Sequence, residues 1–164
     1  MPTRIRHWRL TISLLPFLFS SKHRALLREM RSFCQSLPMK LKPSLIEGLR
    51  LIDPRSETKE SNLVLLRELR GQFSEEAIRN LADLAALLDR RSPLGLCLRR
   101  SLTRYYFLRR GGVPVVIRFG AKFVNGKADR EIAGHAWLTL NDSPYYEEDE
   151  NWRGFTVMIS YPQE

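Results

Sequence analysis

A cysteine near the middle of the chain lies where a helix is predicted to begin. Ser92-Pro93 and Gly95 interrupt the preceding pattern, and apolar residues then recur at helical spacing up to Gly111-Gly112, so Cys97 falls in the first turn. The unpaired N–H groups of a first turn and the positive end of the helix dipole favour an anion. A thiol in this position can have a lowered pKa and react as the thiolate, although a lone cysteine is also a common small apolar core residue.

A histidine 38 positions later (135 − 97 = 38) strengthens the nucleophilic interpretation. Residues 133–140 alternate as a β-strand does, with His135, Trp137 and Thr139 on one face and apolar residues on the other. One of the two faces is expected to pack on the core helix. In such an arrangement the imidazole can accept the thiol proton while a third polar group orients the ring. Acidic residues 147–150 follow at once and supply candidates for that third group, or else form a solvated turn.

The elements that must position these residues are helices in the first two thirds of the chain and strands in the last third. Helices are predicted over about residues 22–36, 44–51, 63–69, 75–90 and 97–110, with Ser74 as an N-cap, a break at Leu37-Pro38 and an exposed loop over 55–62. Strands are predicted over residues 113–120, 133–140 and 155–161, with a hairpin at Asn125-Gly126. The predicted fold class is α+β, with helices first and an antiparallel sheet of about three to four strands last.

Length and composition limit the choices further. The 164 residues, 43% of them hydrophobic, suffice for one domain with a substantial core. A formal net charge of +9 attracts acidic partners in general, whether nucleic acid, anionic lipid or acidic peptide. The only two cysteines are Cys97 and Cys34, which is expected in the core. A disulfide framework is therefore not expected, and a reducing, cytoplasmic location fits better.

The first twenty residues superficially resemble a secretory signal, because a basic start precedes the apolar run from Leu10 to Phe19. Pro16 interrupts this run, no small-residue cleavage pattern follows, and the run is shorter than the roughly 20 residues that span a bilayer. The favoured alternative is an amphipathic segment that packs on the domain or makes weak contact with a membrane surface.

Several other chemistries are not indicated. The sequence has no Cys-x-x-Cys or His-x-x-x-His pair for zinc, no phosphate-binding Gly-x-x-x-x-Gly-Lys loop and no dinucleotide fingerprint, so neither a metal nor a cofactor is expected. The rival hypothesis is a non-catalytic basic module that binds nucleic acid, a peptide or a membrane surface. It rests on arginines along the cysteine helix, at positions Arg99, Arg100, Arg104, Arg109 and Arg110. Scattered arginines usually form a solvated face, and no nucleic-acid motif accompanies them, so nucleic acid is not expected as a partner.

Three stretches carry a resemblance to a known family. They are Cys97-Leu98-Arg99-Arg100-Ser101-Leu102, the Leu-Arg-Arg-Gly-Gly-Val-Pro run at residues 108–114, and Gly134-His135-Ala136-Trp137-Leu138. Together they resemble the transglutaminase-like cysteine protease family that includes the leader peptidases of lasso-peptide maturation, the type of the C-terminal domain of the microcin-processing protein. The match covers roughly residues 88–162 and does not extend to the N-terminal helices.

The resemblance implies a papain-like or transglutaminase-like core, in which the catalytic helix packs on an antiparallel sheet. Cys97 would be the nucleophile, His135 the general base and then the general acid, and a later carboxylate the group that orients the ring. In this family that residue is usually an aspartate about a dozen positions after the histidine, which falls here on Glu147 (147 − 135 = 12). Glutamate has one more methylene to place, and Glu148 or Asp149 could serve instead if the turn is longer.

The implied reaction is acyl transfer through a thioester, with hydrolysis as the default and transfer to an amine as the alternative. The backbone N–H of Cys97 is expected to donate to the oxyanion, and a second donor is not evident. Arg100 is expected to pair with a carboxylate or to cap the packing, and Ser101 to allow close contact between helix and sheet. Trp137 is expected to form a wall beside the base.

The resemblance also implies partners. The family's leader peptidases receive their substrate from a small leader-binding domain, and nothing in residues 1–90 resembles one, so the expected partners are a precursor (leader) peptide, a separate leader-binding protein and a macrocyclase. The predicted organisation is a helical N-terminal region, residues 1–90, packed on a core of residues 91–164 in one compact domain. A third interpretation is a family member that has lost activity and only binds peptide.

Overall fold

The computed structural model describes residues 20–54, 72–124 and 131–162, apart from the side chains of residues 149 and 150. Four of the sequence-based predictions lie outside these residues: the amphipathic N-terminal segment, the loop over 55–62, the helix over 63–69 and the turn at Asn125-Gly126.

Among the described residues, four helices come first. They are α1 (Ser21–Lys40), α2 (Leu45–Ile52), α3 (Glu75–Leu88) and α4 (Leu96–Arg110). Serine side chains cap two of them: the hydroxyl oxygen of Ser44 accepts the Glu47 N–H at 3.1 Å, and that of Ser74 accepts the Ala77 N–H at 3.1 Å. These caps satisfy backbone donors that would otherwise lack a partner, so the predicted N-cap at Ser74 is confirmed.

The predicted break at Leu37-Pro38 is wrong, because α1 continues through Pro38 to Lys40. Leu37 is completely buried, and its carbonyl accepts the Leu41 N–H at 2.9 Å. A proline in the last turn removes only one helical hydrogen bond, and the burial of Leu37 outweighs that loss.

The first strand begins three residues later than predicted, at Val116 instead of Val113. Val113 lies in the turn that closes the C-terminal end of α4, where its N–H donates to the Leu108 carbonyl at 2.9 Å. Gly112 precedes it with a φ of 87°, a left-handed conformation that glycine adopts without strain. The β-branched pattern assigned Val113 to the strand, but this residue is part of the motif that ends the helix.

A four-stranded antiparallel sheet follows the helices. Its strands are β1 (Val116–Phe123), β2 (Ile132–Leu140), β3 (Ser143–Pro144) and β4 (Thr156–Tyr161), in the order β3-β2-β1-β4, and a short helix, α5 (Asp149–Trp152), precedes β4. Because β3 pairs only with Thr139 and Leu140, the first part of β2 has no strand partner on that edge among the described residues.

One hydrophobic core joins the helices to the sheet. It includes the buried side chains of Leu26, Met30, Leu81, Leu102, Leu108, Ile117 and Leu138, drawn from α1, α3, α4, β1 and β2. A buried ion pair also connects α3 and α4, because Asp83 accepts hydrogen bonds from Arg104 at 2.6 Å through each carboxylate oxygen. The architecture is α+β, as predicted. Helix α4 contacts α1 and α3 as well as β1 and β2.

Candidate active site

Cys97 is the second residue of α4 and is half-buried. The N-cap is Gly95, which has no side chain to cap the helix, and the first turn has no acidic residue. The helix end is therefore free to stabilise a negative charge on the sulfur. Backbone hydrogen bonds from Leu98 and Ala136 also reach the thiol.

The start of α4 lies against the open edge of β2. The Ser101 hydroxyl donates to the Ala136 carbonyl at 2.7 Å, one turn along the helix from Cys97. Since the Ala136 backbone also contacts the Cys97 sulfur, a single residue of β2 is bound by two side chains of α4. This attachment brings the thiol beside His135, the preceding residue of the strand, and confirms the close helix–sheet contact predicted at Ser101.

The Cys97 thiol and the His135 imidazole are hydrogen-bonded to each other, and each shifts the pKa of the other. The hydrogen bond with His135 is the largest cause that lowers the pKa of Cys97 below 9.0, against the opposing effect of burial. The hydrogen bonds with Cys97 and Glu147 raise the pKa of His135 from 6.5 to about 9. The pair therefore favours thiolate and imidazolium over the neutral forms.

Glu147 is the carboxylate that contacts the histidine. Its Oε1 lies 3.6 Å from His135 Nε2, and only 3% of its side chain is exposed. Nε2 is buried and makes no hydrogen bond within normal distance in the described part of the chain, so this carboxylate contact is the interaction recorded at that nitrogen. Glu148 is exposed on the surface. The acidic run is therefore not a uniformly solvated turn, because it places one carboxylate inside the molecule.

Arg100 holds Glu147 from the other side. Its Nη2 donates to both carboxylate oxygens at 3.0 Å, which confirms that this arginine pairs with a carboxylate. Burial is the largest single influence on the Glu147 pKa and raises it, but the His135 hydrogen bond and the Arg100 charge together lower the pKa below 4.5. The carboxylate is thus ionised at neutral pH, and a chain of charges runs from Arg100 through Glu147 and His135 to Cys97.

Aromatic rings enclose the imidazole. Trp137 is 2% exposed and stacks on His135 with a centroid distance of 5.9 Å and an interplanar angle of 14°, so its predicted role as a wall is confirmed. The Phe155 ring lies 5.4 Å from the imidazole. The sequence predicted Phe155 only as a strand residue. Its contact with the imidazole depends on the path of the preceding loop, which the strand pattern does not indicate.

The arginines of α4 do not form a basic surface, which corrects the premise of the rival hypothesis. Arg99 and Arg104 are buried, and Arg99 donates to the Ala86 carbonyl at 2.9 Å. Arg109 donates to the Val115 carbonyl at 2.7 Å, and Arg110 forms an ion pair with Glu29. These side chains therefore hold α4 in the fold instead of presenting charge to a ligand.

The described residues contain neither a metal-binding cluster nor a membrane-spanning helix. No group of three or more His, Cys, Asp or Glu residues there could hold a metal ion. Among the same residues, no helix combines the length and apolar character that crossing a membrane requires.

Comparison with known proteins agrees with this geometry. The sequence pattern of the transglutaminase-like superfamily matches residues 49–160, which is 112 of the 164 residues (160 − 49 + 1 = 112). Comparisons with curated proteins and with solved structures give no match. With a cysteine at a helix start, a histidine on an adjoining strand and a superfamily pattern that covers more than half of its length, the chain belongs to the transglutaminase-like superfamily.

Proposed function

We propose that this protein is a cysteine peptidase that cleaves a precursor peptide by acyl transfer and removes its leader in lasso-type peptide maturation. Cys97 is the nucleophile, His135 the acid–base residue and Glu147 the residue that orients and charges the imidazole. The observation that supports this proposal is the continuous contact of thiol, imidazole and buried carboxylate at the junction of α4 and β2.

In the first step the Cys97 thiolate attacks the carbonyl carbon of the scissile peptide bond. The carbonyl oxygen gains the negative charge and accepts a hydrogen bond from the unpaired Cys97 N–H at the helix start. When the tetrahedral intermediate collapses, the C–N bond breaks and the imidazolium of His135 gives its proton to the departing amine. The peptide's acyl part remains attached to sulfur as a thioester.

In the second step a water molecule attacks the thioester carbonyl, and the now neutral His135 accepts its proton. The C–S bond breaks, a carboxylic acid leaves and loses its remaining proton to solvent, and the thiolate–imidazolium pair returns. An amine in place of water would give a new amide bond instead. Hydrolysis is the proposed outcome, because water is the more abundant nucleophile.

The finer assignment rests on the motifs of the sequence. A cysteine followed by Arg100-Ser101-Leu102, and then a His-Ala-Trp strand, resembles the leader peptidases of lasso-peptide maturation. The contacts of Arg100 and Ser101 support a role for these motif residues in holding the site together. The proposal includes a separate leader-binding protein, a macrocyclase and a cytoplasmic location.

The first test measures thiol reactivity. Alkylation of the intact protein by iodoacetamide across a pH series, with the modified residue identified by mass spectrometry, is expected to show a Cys97 midpoint below 9.0. The His135→Ala variant is expected to lose this low midpoint. Cys34 is an internal control, because it is fully buried and burial raises its pKa. Equal reactivity of Cys97 in the wild type and in His135→Ala would contradict the proposal.

The second test measures peptide cleavage. A lasso precursor peptide supplied with its leader-binding protein is expected to be cut by the wild type and not by Cys97→Ala. Turnover is expected to decline above about pH 9, because His135 then loses the proton that the leaving amine requires. A reactive Cys97 without cleavage of any precursor would favour a relative that only binds peptide.

A further inference from the structure

A basic cleft lies outside the site described above, between α1 and the connection from α3 to α4. Its volume is about 580 Å³, and its charged lining comes from Arg31 on α1 and from Arg90 and Arg91 in the connection. Pro38, Leu88 and Pro93 add apolar surface to the same cleft. It therefore combines cationic and apolar groups in one concave surface.

The three cleft arginines differ from those of α4 because they are not paired with an acid elsewhere in the described part of the chain. All three are exposed, and none takes part in an ion pair between described residues. Among the described lining residues the one acid is Asp89, which lies 3.6 Å from the buried Arg99, so its charge is already balanced. The cleft thus presents three guanidinium groups whose planar forks match carboxylate oxygens.

We propose that this cleft binds an acidic stretch in the leader of the precursor peptide. This inference rests on the proposed function and adds to it the chemistry that recognises the substrate. A peptide fits better than a nucleic acid, because no described residue of the lining is aromatic and could stack on a base, and the leucine and prolines suit apolar peptide side chains.

The position of the cleft limits where the acidic stretch lies in the substrate. Pro93 lines the cleft and Cys97 is four residues further along the chain (97 − 93 = 4). Four residues span at most about 14 Å, even when the chain is fully extended. Arg91 is six residues from Cys97 (97 − 91 = 6), so an extended peptide held by this arginine needs no more than about six residues to reach the sulfur. We therefore place the acidic side chains within that distance before the scissile bond.

The experiment uses peptide chloromethyl ketones, which alkylate Cys97 when the thiolate displaces chloride and a C–S bond forms. One peptide carries two glutamates about five residues before the reactive end, a second carries them next to it, and a third has glutamine throughout. The first is expected to inactivate the full-length protein about tenfold faster than the other two, with the advantage falling as salt rises. In Arg90→Glu/Arg91→Glu the advantage is expected to disappear.

Two controls separate the cleft from the thiol chemistry. Lys42→Glu/Arg50→Glu makes the same charge change at exposed positions outside the cleft and is expected to keep the advantage of the first peptide. Iodoacetamide is expected to alkylate Cys97 at the same rate in all variants. This reagent is too short to contact the cleft while it reacts with the sulfur. If iodoacetamide did not alkylate Cys97 in the wild type, the proposed function would be overturned, together with the cleft proposal that rests on it.

Equal rates for the three peptides, with normal iodoacetamide labelling, would overturn the cleft proposal and leave the peptidase proposal standing. The same conclusion would follow if the cleft variants retained the preference for glutamate. Single-stranded DNA that binds to the wild type and not to Arg90→Glu/Arg91→Glu, without any effect of glutamate on the peptide rates, would assign the cleft to nucleic acid and overturn the proposal.

Discussion

The charge state of the Cys97–His135 pair depends on a buried carboxylate. Glu147 Oε1 lies 3.6 Å from His135 Nε2, and the contact with this carboxylate and its negative charge both raise the pKa of His135. Glu147→Gln keeps the shape of the side chain and removes the charge. The pKa of His135 should then fall, so that less imidazolium is present to stabilise the Cys97 thiolate. We expect the midpoint of Cys97 alkylation to rise by about one pH unit, which is about a tenfold lower rate on the acid side.

The matched control for this substitution is Glu148→Gln, one position further along. Glu148 is exposed, whereas the groups that raise the pKa of His135 are Cys97 and Glu147. The alkylation profile of Glu148→Gln should overlay that of the wild type. If Glu148→Gln moved the midpoint and Glu147→Gln did not, the orienting carboxylate would be misassigned.

At the scale of the secondary-structure elements, β1 approaches the Trp137 ring closely at Gly120. A Cβ atom on Gly120 would lie 2.8 Å from the Trp137 ring and 3.0 Å from the Phe155 Cβ. Gly120→Ala must therefore displace the ring that stacks on His135. We expect urea denaturation to show a loss of about 1–3 kcal/mol, accompanied by slower alkylation of Cys97.

Gly134→Ala is the control on the neighbouring strand, because a Cβ there meets nothing within 4 Å. It should leave both stability and alkylation close to the wild-type values. Equal effects of the two substitutions would show that loss of glycine itself, and not the ring contact, is responsible.

The attachment of α4 to β2 gives a second prediction at this scale. Ser101→Ala removes the 2.7 Å hydrogen bond to Ala136 and leaves a buried carbonyl without its side-chain donor. Equilibrium unfolding should show a loss of about 1–2 kcal/mol. Ser36→Ala removes a 2.7 Å bond to the Phe33 carbonyl, a contact within one helix, and should cost under about 0.5 kcal/mol. Comparable losses would argue against a special role for the helix–strand contact.

For the whole molecule, the pKa of Glu147 predicts how stability responds to acid. In the folded state this pKa lies below its ordinary value of 4.5. Between these two values the unfolded chain binds more protons than the folded one, so the free energy of unfolding falls as pH falls through that range. Urea denaturation of the wild type between about pH 3 and 7 should show this decline, and Glu147→Gln should show a shallower one. Parallel declines would place the acid sensitivity elsewhere in the molecule.

Positive charge also acts on the scale of the whole molecule. The formal net charge is +9, yet the arginines of α4 are used in internal hydrogen bonds and ion pairs, while the cleft formed by Arg31, Arg90 and Arg91 presents its charge to solvent. Charge composition alone therefore did not locate the surface that an acidic partner would meet.

The sequence by itself determined the local features of this protein. Turn residues before Cys97 predicted a helix start, alternation around His135 predicted a strand, and Ser74 predicted a cap, because each depends on neighbours in the chain. The family pattern pointed to Glu147 among three candidates. These signals were sufficient for the α+β class and for the order of cysteine, histidine and acid.

Only the tertiary structure decided which distant groups meet. The segment after β3 brings the Glu147 side chain inside to face both His135 and Arg100, and it brings the Phe155 ring against the imidazole. Likewise, the core contact of Leu37 carries α1 past Pro38, against the local signal for a break. Such outcomes depend on the burial and long-range pairing of side chains, whose free energies outweigh local preferences and leave no periodic trace in the sequence.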